Sequence, residues 1–226
     1  MKEDNMIVNV PVGKTSNNDL YTIDLFSLPH LFLSFGEQQQ LTHYLQQVIK
    51  GLNTYGEMQF AGALSKRSFE LISNPGITEW EYLFIRNEDD IENSSTRYLF
   101  LQQLVRELKR RQKRTLNRPV LIVFIEDVLD LVITKRRSTG LQFLQLLIEG
   151  PASGIHVMAA SGRAYRNLLL QLLNLNPVVK EQLLKQLPGI DLSVHYPLGA
   201  ELVITPEEVY FFRQRNQTDY IRLFPL

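Results

Sequence analysis

The sequence contains no cysteine, which excludes disulfides, thiolate metal sites and cysteine nucleophiles and fits a reducing compartment. Neither sign of charge is in excess, with 24 Lys and Arg against 24 Asp and Glu. No global field draws the chain to nucleic acid or membrane, and any such contact must come from a local patch. Long apolar runs are missing too: VLIVFI at 120–125 falls far short of a membrane span. The opening residues MKEDNMIVNVPVGK carry acids and no apolar signal core, so no secretory signal is expected. The expectation is a soluble, globular, cytoplasmic chain, in which the glycosylation patterns at Asn93 and Asn216 carry no weight. The histidines have no ligand spacing, so no metal site is expected, and no Ser/His/Asp arrangement stands out.

What is present is enough for a core of ordinary size: 226 residues, 44% of them hydrophobic, suit one large α/β domain or two small ones. Without repeats or a convincing linker, one domain over 1–226 is expected. LFLSF at 31–35 reads as a buried strand. From Gln39 the apolar residues Leu41, Tyr44, Leu45, Val48, Ile49 and Leu52 recur at helical steps, and Gly51 and Asn53 mark the stop. EMQFAGAL (57–64) and EYLFIR (81–86) read as strands around the turn-rich SNPG. A helix is predicted from about Ser95 to Thr115, with Tyr98, Leu101, Val105 and Leu108 on one face.

PVLIVFIED from Pro119 is the strongest strand, apolar throughout as a strand covered on both faces should be. A helix over roughly 139–149, the strand GIHVMAA (154–160), a Leu-rich helical stretch at 168–187 and paired strands in ELVITPEEVYFF and DYIRLF complete the series. Alternation of strands and helices predicts a mainly parallel sheet with an antiparallel C-terminal edge.

PHLFLSFGEQQQLTHYL (29–45) has the outline of a strand, a phosphate-binding loop and a helix. A working loop needs GxxxxGK[ST], in which glycines admit the phosphates to the backbone, Lys reaches the β/γ oxygens and Ser/Thr holds Mg²⁺. A strand ending in acids must then orient the metal and the attacking water. PVLIVFIEDVLDL (119–131) resembles the Walker B strand of the FtsK/SpoIIIE family of DNA translocases. Other segments follow the family's order. VPVGKTSNNDLYTIDLFSLPHLFLSFG (10–36) is similar to its lead-in, LSKRSFELISNPGI (64–77) to its DPK-x-x-E-L stretch, LVRELKRRQKRTL (104–116) to its E-M-x-x-R-Y helix, and GPASGIHVMAASGR (150–163) to its G-I-H segment. The resemblance covers roughly 8–165 and implies a RecA-like P-loop core; EssC-type secretion ATPases chain several such domains. The family's membrane-spanning N-terminal part and winged-helix C-terminal domain are not expected here.

Carried onto this sequence, the Walker A loop places Phe35 at the first glycine with Gly36 one place off. Gln38 and Gln40 fall at later glycines, Leu41 at the Lys and Thr42 at the Mg²⁺-binding Ser/Thr. Only Thr42 keeps its chemistry. Leu41 fits the apolar face of its helix, and losing charge-assisted phosphate contacts of about 1.5–3 kcal/mol each leaves little affinity. The Walker B acids stand in exchanged order, Glu126 then Asp127, with Asp130 at the downstream Asp. Ser161 and Gly162 replace the sensor Thr and Gln. Lys66 matches the family's basic residue, after Leu64-Ser65 instead of Asp-Pro. A plain strand-to-helix turn and a dead nucleotide site are both open readings of 36–42, and acids ending a buried strand mark either a crevice or a solvated cap.

The expected function is that of a pseudo-ATPase, an assembly or regulatory element of a DNA-translocation or secretion machine. It would bind no cofactor and reach the membrane only through partners: an intact FtsK/SpoIIIE-like subunit or other domains of the same machine. The alternatives are a divergent active translocase using ATP and Mg²⁺, and a nucleotide-independent DNA-binding module. Candidate DNA or partner contacts are Lys109, Arg110, Arg111, Lys113 and Arg114, in a run with six cations in ten residues, and Lys135, Arg136 and Arg137. The family has a channel-facing loop near the latter. A solvated helix end, where cations suit the dipole, explains the first run equally well. His30 and His156 are read as structural; His43 and His195 are isolated.

Overall fold

A computed structural model describes residues 8–52, 58–73, 80–86, 94–113, 119–132, 137–161, 174, 177–178, 180–181, 199–212 and 220–226. The side chains of Ser94, Ser95, Asp130, Val132 and Arg137 lie outside that description. The chain opens with a hairpin of β1 (Asn9–Lys14) and β2 (Leu20–Asp24), followed by β3 (His30–Phe35) and α1 (Gln38–Leu52). Then come β4 (Met58–Ser65), α2 (Lys66–Ser73), β5 (Tyr82–Arg86) and α3 (Ser94–Gln112). β6 (Val120–Ile125), α4 (Val128–Val132), α5 (Arg137–Glu149), a 3₁₀ turn (Pro151–Ser153) and β7 (Ile155–Ser161) complete the centre. β8 (Ala200–Ile204), β9 (Val209–Phe212) and β10 (Tyr220–Leu223) close the chain.

Eight strands form one sheet in the order β10-β9-β8-β3-β7-β6-β4-β5. From β8 to β5 every neighbouring pair is parallel, and β8-β9 and β9-β10 are antiparallel. The expected α/β architecture with its antiparallel C-terminal edge is therefore present. β7 lies between β3 and β6, so the two strands that resemble Walker A and Walker B leads are separated by one strand.

The sheet is covered on both faces, which is why β6 is buried at all six positions. Its alternate residues serve two cores. Ile122 and Phe124 join Leu31 and Leu33 under α1 and the β1–β2 hairpin. Leu121, Val123 and Ile125 join Phe32 under α3, α4 and α5. At the free edge, β5 is half-buried along its whole length, as an edge strand should be.

The hairpin, α2 and α4 are additions to the elements predicted. Val8, Val10 and Val12 are all fully buried, so VNVPV carries the period-two signal of a strand; Asn18, at φ 66°, supplies the left-handed residue of the turn. The predicted helix at 168–187 falls almost wholly outside the described residues.

Two histidines lock the amino ends of the central strands. Nε2–H of His30 donates to the Leu147 carbonyl near the end of α5, at 2.9 Å, and its Nδ1 accepts the Val157 amide of β7 at 2.9 Å. Complete burial pushes the His30 pKa down to about 3. His156 donates from Nδ1 to the Pro29 carbonyl at 2.9 Å, and burial lowers its pKa as well. Among the described residues no helix is long and apolar enough to cross a membrane.

Candidate functional site

The parallel strands all end on one side of the sheet, where ligands bind in open α/β folds. Three segments meet there: the β3–α1 turn, the β4–α2 junction and the end of β6. The β3–α1 connection is two residues long, Gly36 and Glu37. The amides of Gln40 and Leu41 both donate back to the Glu37 carbonyl, at 3.1 and 3.4 Å. α1 begins within the stretch aligned with the GxxxxG turn, and two amides that would face a phosphate are committed to the helix.

β4 runs into α2 without a loop. Ser65 is the N-cap: its hydroxyl oxygen accepts the Ser68 amide at 3.2 Å. Glu126 reaches this junction from β6 and is only 3% exposed. The Ser65 hydroxyl donates to Oε1 at 2.9 Å, the Ser68 hydroxyl donates to Oε1 at 2.7 Å, and the Ser65 amide donates to Oε2. The Gln38 amide, from the first turn of α1, closes the set by donating to Oε1. One buried carboxylate thus ties the ends of β6, β4 and β3 together. Each of these partners donates to it, three to Oε1 and one to Oε2, so both oxygens are engaged inside the protein.

Thr42 is buried, with its hydroxyl 3.0 Å from the Gln38 carbonyl and 3.0 Å from the Ser68 hydroxyl. Leu41 is fully buried in the core beneath α1. The side-chain oxygen of Gln40 is buried with no hydrogen-bond partner, and Gly36 faces open space. Asp127 points outward and pairs with Arg86 at 3.8 Å. A hollow of about 20 Å³ lies between them, lined by Ser65, Phe84, Arg86, Glu126, Asp127 and Leu131 among others. That is room for a water. Ser161 is buried at the end of β7, in register with Ser34, and Ser34 donates to the buried Glu201 of β8 at 2.6 Å.

Of the predicted basic residues, Lys109, Arg110, Arg111 and Lys113 have described side chains, and Arg111 is turned inward. Arg111 is 5% exposed. It pairs with Glu107 at 2.8 Å and donates to the Pro119 carbonyl at 2.9 Å and to Gln59 Oε1 at 2.7 Å. Arg110 is half-exposed and held by Glu107 at 2.6 Å. Burial works to raise the Glu107 carboxyl, but the hydrogen bonds and charges of Arg110 and Arg111 outweigh it and hold the group below the usual range. Arg111 is therefore a buried tie between α3 and the amino ends of the strands, at the opposite side of the sheet from Glu126. Lys109 and Lys113 are exposed. Arg114, Lys135, Arg136 and Gly162 lie outside the described residues, as do the side chains of Asp130 and Arg137.

Sequence reasoning missed Gln38, Ser65 and Ser68 as partners of Glu126. The one local clue was Ser65 ahead of a helical segment, a cap signal. Arg111 did have a signal: it stands three residues after Leu108 and seven after Leu104, on the buried stripe.

No protein-family profile and no curated protein matches the chain in sequence. Solved structures match it in three dimensions. EssC (ATPases 2 and 3) from Geobacillus thermodenitrificans superposes at TM-score 0.63 with 12% identity, over 97% of this chain and 41% of that one. The cytoplasmic domain of the Thermomonospora curvata type VII secretion ATPase EccC superposes at 0.62 with 12% identity, over 97% and 26%. The pCW3 conjugation coupling protein TcpA, solved in monomer form with ATPγS, superposes at 0.60 with 14% identity, over 98% and 66%. The chain thus spans about two fifths of the EssC chain. The chain shares its α/β fold with these EssC, EccC and TcpA structures.

Proposed function

We propose that this chain is a pseudo-ATPase: an FtsK/SpoIIIE-like domain that has given up nucleotide chemistry and serves as an assembly or regulatory element of a secretion or DNA-transfer machine. The observation that carries the reading is the state of Glu126. At the position of the first Walker B acid, a metal-orienting carboxylate must keep lone pairs open to the crevice. Here both oxygens accept internal donors, from Gln38, Ser65 and Ser68. Leu41, at the place of the phosphate-gripping Lys, is spent on the core. The short β3–α1 turn supports the same reading, and no cofactor is needed to complete the site.

The partners in this reading are other domains or an intact subunit of the same machine. The place of action is the cytoplasm, at the membrane only through those partners. Its supports are the match to less than half of EssC and the cytoplasmic domain of EccC among the similar structures. A divergent active translocase is the second reading, and the ATPγS complex of TcpA is the likeness that favours it.

Thermal unfolding with ATP and Mg²⁺ at millimolar concentration separates the two. A ligand of the native state raises the melting temperature, by about 2.7 kcal/mol of stabilisation at a hundredfold excess over Kd. The expected result is an unmoved transition; a concentration-dependent rise overturns the pseudo-ATPase reading.

A further inference from the structure

The chain is neutral as a whole, but α3 is not: it carries Arg97, Arg106, Lys109, Arg110 and Arg111 against the single acid Glu107. Its second half sorts these cations by direction. Arg111 turns inward, and Arg110 is held by Glu107 at 2.6 Å and lies 4.0 Å from Glu81. Arg106, Lys109 and Lys113, the last one residue beyond the helix, are exposed. Among the described residues none of these three has a hydrogen bond or an ion pair.

Leu99, Gln103, Arg106, Lys109 and Lys113 follow one another at steps of three and four residues, so they share one side of the helix. Leu99 is 50% exposed. On α5, joined to α3 by the Gln112 amide donating to Glu149 at 3.0 Å, Leu141 is 41% exposed in the same half of its own helix. The outward stripe is therefore apolar at its start and cationic at its end. It runs for about 21 Å, with the free cations in its last 10 Å or so.

From this pattern we infer that the outward stripe of α3 is a docking surface for an acidic amphipathic helix of a partner chain. Its carboxylates, at matching three- and four-residue steps, meet Arg106, Lys109 and Lys113, and an apolar residue covers Leu99. A second α-helix has the same pitch, so all three charge pairs can form in register. A nucleic-acid backbone is the poorer occupant, because it would meet the cations and leave Leu99 and Leu141 in water. The cations flank Arg111 toward the amino ends of the strands, away from Glu126, so docking here does not depend on nucleotide. None of the three is paired inside the fold, so their substitution reads binding and not folding.

The probe is an alanine-based helical peptide with one leucine and three glutamates at these steps. It is titrated into the ¹⁵N-labelled chain at low salt while the amide signals from Gln103 to Lys113 are followed. The expected result is a saturable shift of these signals. Binding weakens about eightfold when Arg106→Gln, Lys109→Gln and Lys113→Gln are combined, roughly twofold for each exposed ion pair lost. It weakens about threefold in Leu99→Ala. The same peptide with glutamines in place of the glutamates leaves the signals where they are. Absence of a saturable shift, or an equal shift with the glutamine peptide, overturns the inference. Duplex DNA that moves the signals at lower concentration than the peptide, and equally well in Leu99→Ala, overturns it in favour of a phosphate backbone. ATP and Mg²⁺ are left out of every arm, so neither failure bears on the pseudo-ATPase reading.

Discussion

Acidification should unfold this domain through His30 more than through any surface group. His30 is fully buried as a neutral imidazole, with a pKa pushed down to about 3 from the ordinary 6.5. In the unfolded chain the imidazole binds a proton as soon as the pH falls below 6.5, while the folded chain refuses it until about 3. The unfolded state therefore holds more protons throughout that window, and stability is full above 6.5 and falls as the pH drops. Each pH unit well inside the window costs about 1.4 kcal/mol. Between pH 7.5 and 5.0 the loss from this one group is about 2 kcal/mol, and over the full window it is about 5 kcal/mol.

Urea unfolding at the two pH values gives the measurement, followed by helical circular dichroism and by the fluorescence of Trp80, the chain's one tryptophan. His30→Gln supplies the control. It removes the titrating group and keeps a donor for the Leu147 carbonyl, at the cost of about 1–3 kcal/mol from an unpaired Val157 amide. His156, also lowered by burial, stays in both proteins and cancels in the comparison. The native chain should lose about 2 kcal/mol more than His30→Gln on going from pH 7.5 to 5.0. Equal losses in the two proteins would refute the reasoning, because His30 would then not be the neutral strut between α5 and β7.

Two further outcomes follow from the site and from the base of the sheet. Leu41→Lys, which puts a lysine where the Walker A alignment has one, should destabilise the fold by at least about 3 kcal/mol, since it strips apolar contacts from a closed core and buries an ammonium. Urea titration reads the loss, and a stable variant whose melting temperature climbs with ATP and Mg²⁺ would contradict it. Arg111→Leu should cost about 3–5 kcal/mol by leaving Glu107 with half its counter-charge. Lys109→Gln and Lys113→Gln should stay within about 0.5 kcal/mol of the native chain. Equal effects in all three would mean that Arg111 is only a surface cation.

Local patterns made much of this architecture legible. VLIVFI announced β6 because a strand buried on both faces must be apolar at every position, and the three- and four-residue spacing from Leu41 to Leu52 announced α1 within a residue of its start. What these patterns cannot carry is pairing across long stretches of chain. Nothing in VLIVFI says that β7, not β3, lies beside it. Nothing near Glu126 says that Ser65 and Ser68, about sixty residues earlier, point at its oxygens. Arg111, in the basic run, shows a different limit. Composition registers charge and ignores direction, and the stripe that buries Leu104 and Leu108 takes Arg111 with it. The hairpin at 9–24 was readable in the alternation of Val8, Val10 and Val12, but a motif-led comparison passed over it as a lead-in.

The connection between β3 and α1 has a consequence that residue identities do not express. Two residues of chain reach at most about 7 Å when fully extended, which is too little to wrap a row of phosphates whatever the side chains are. Point substitutions at 36–42 rebuild a phosphate cradle only if the first turn of α1, which begins at Gln38, also unwinds. A search that scores letters against GxxxxGK[ST] registers missing glycines and a missing lysine. The deeper difference is one of conformation: helix occupies residues that a phosphate loop needs free, and the route back to nucleotide binding, for evolution or for an engineer, runs through unwinding that turn.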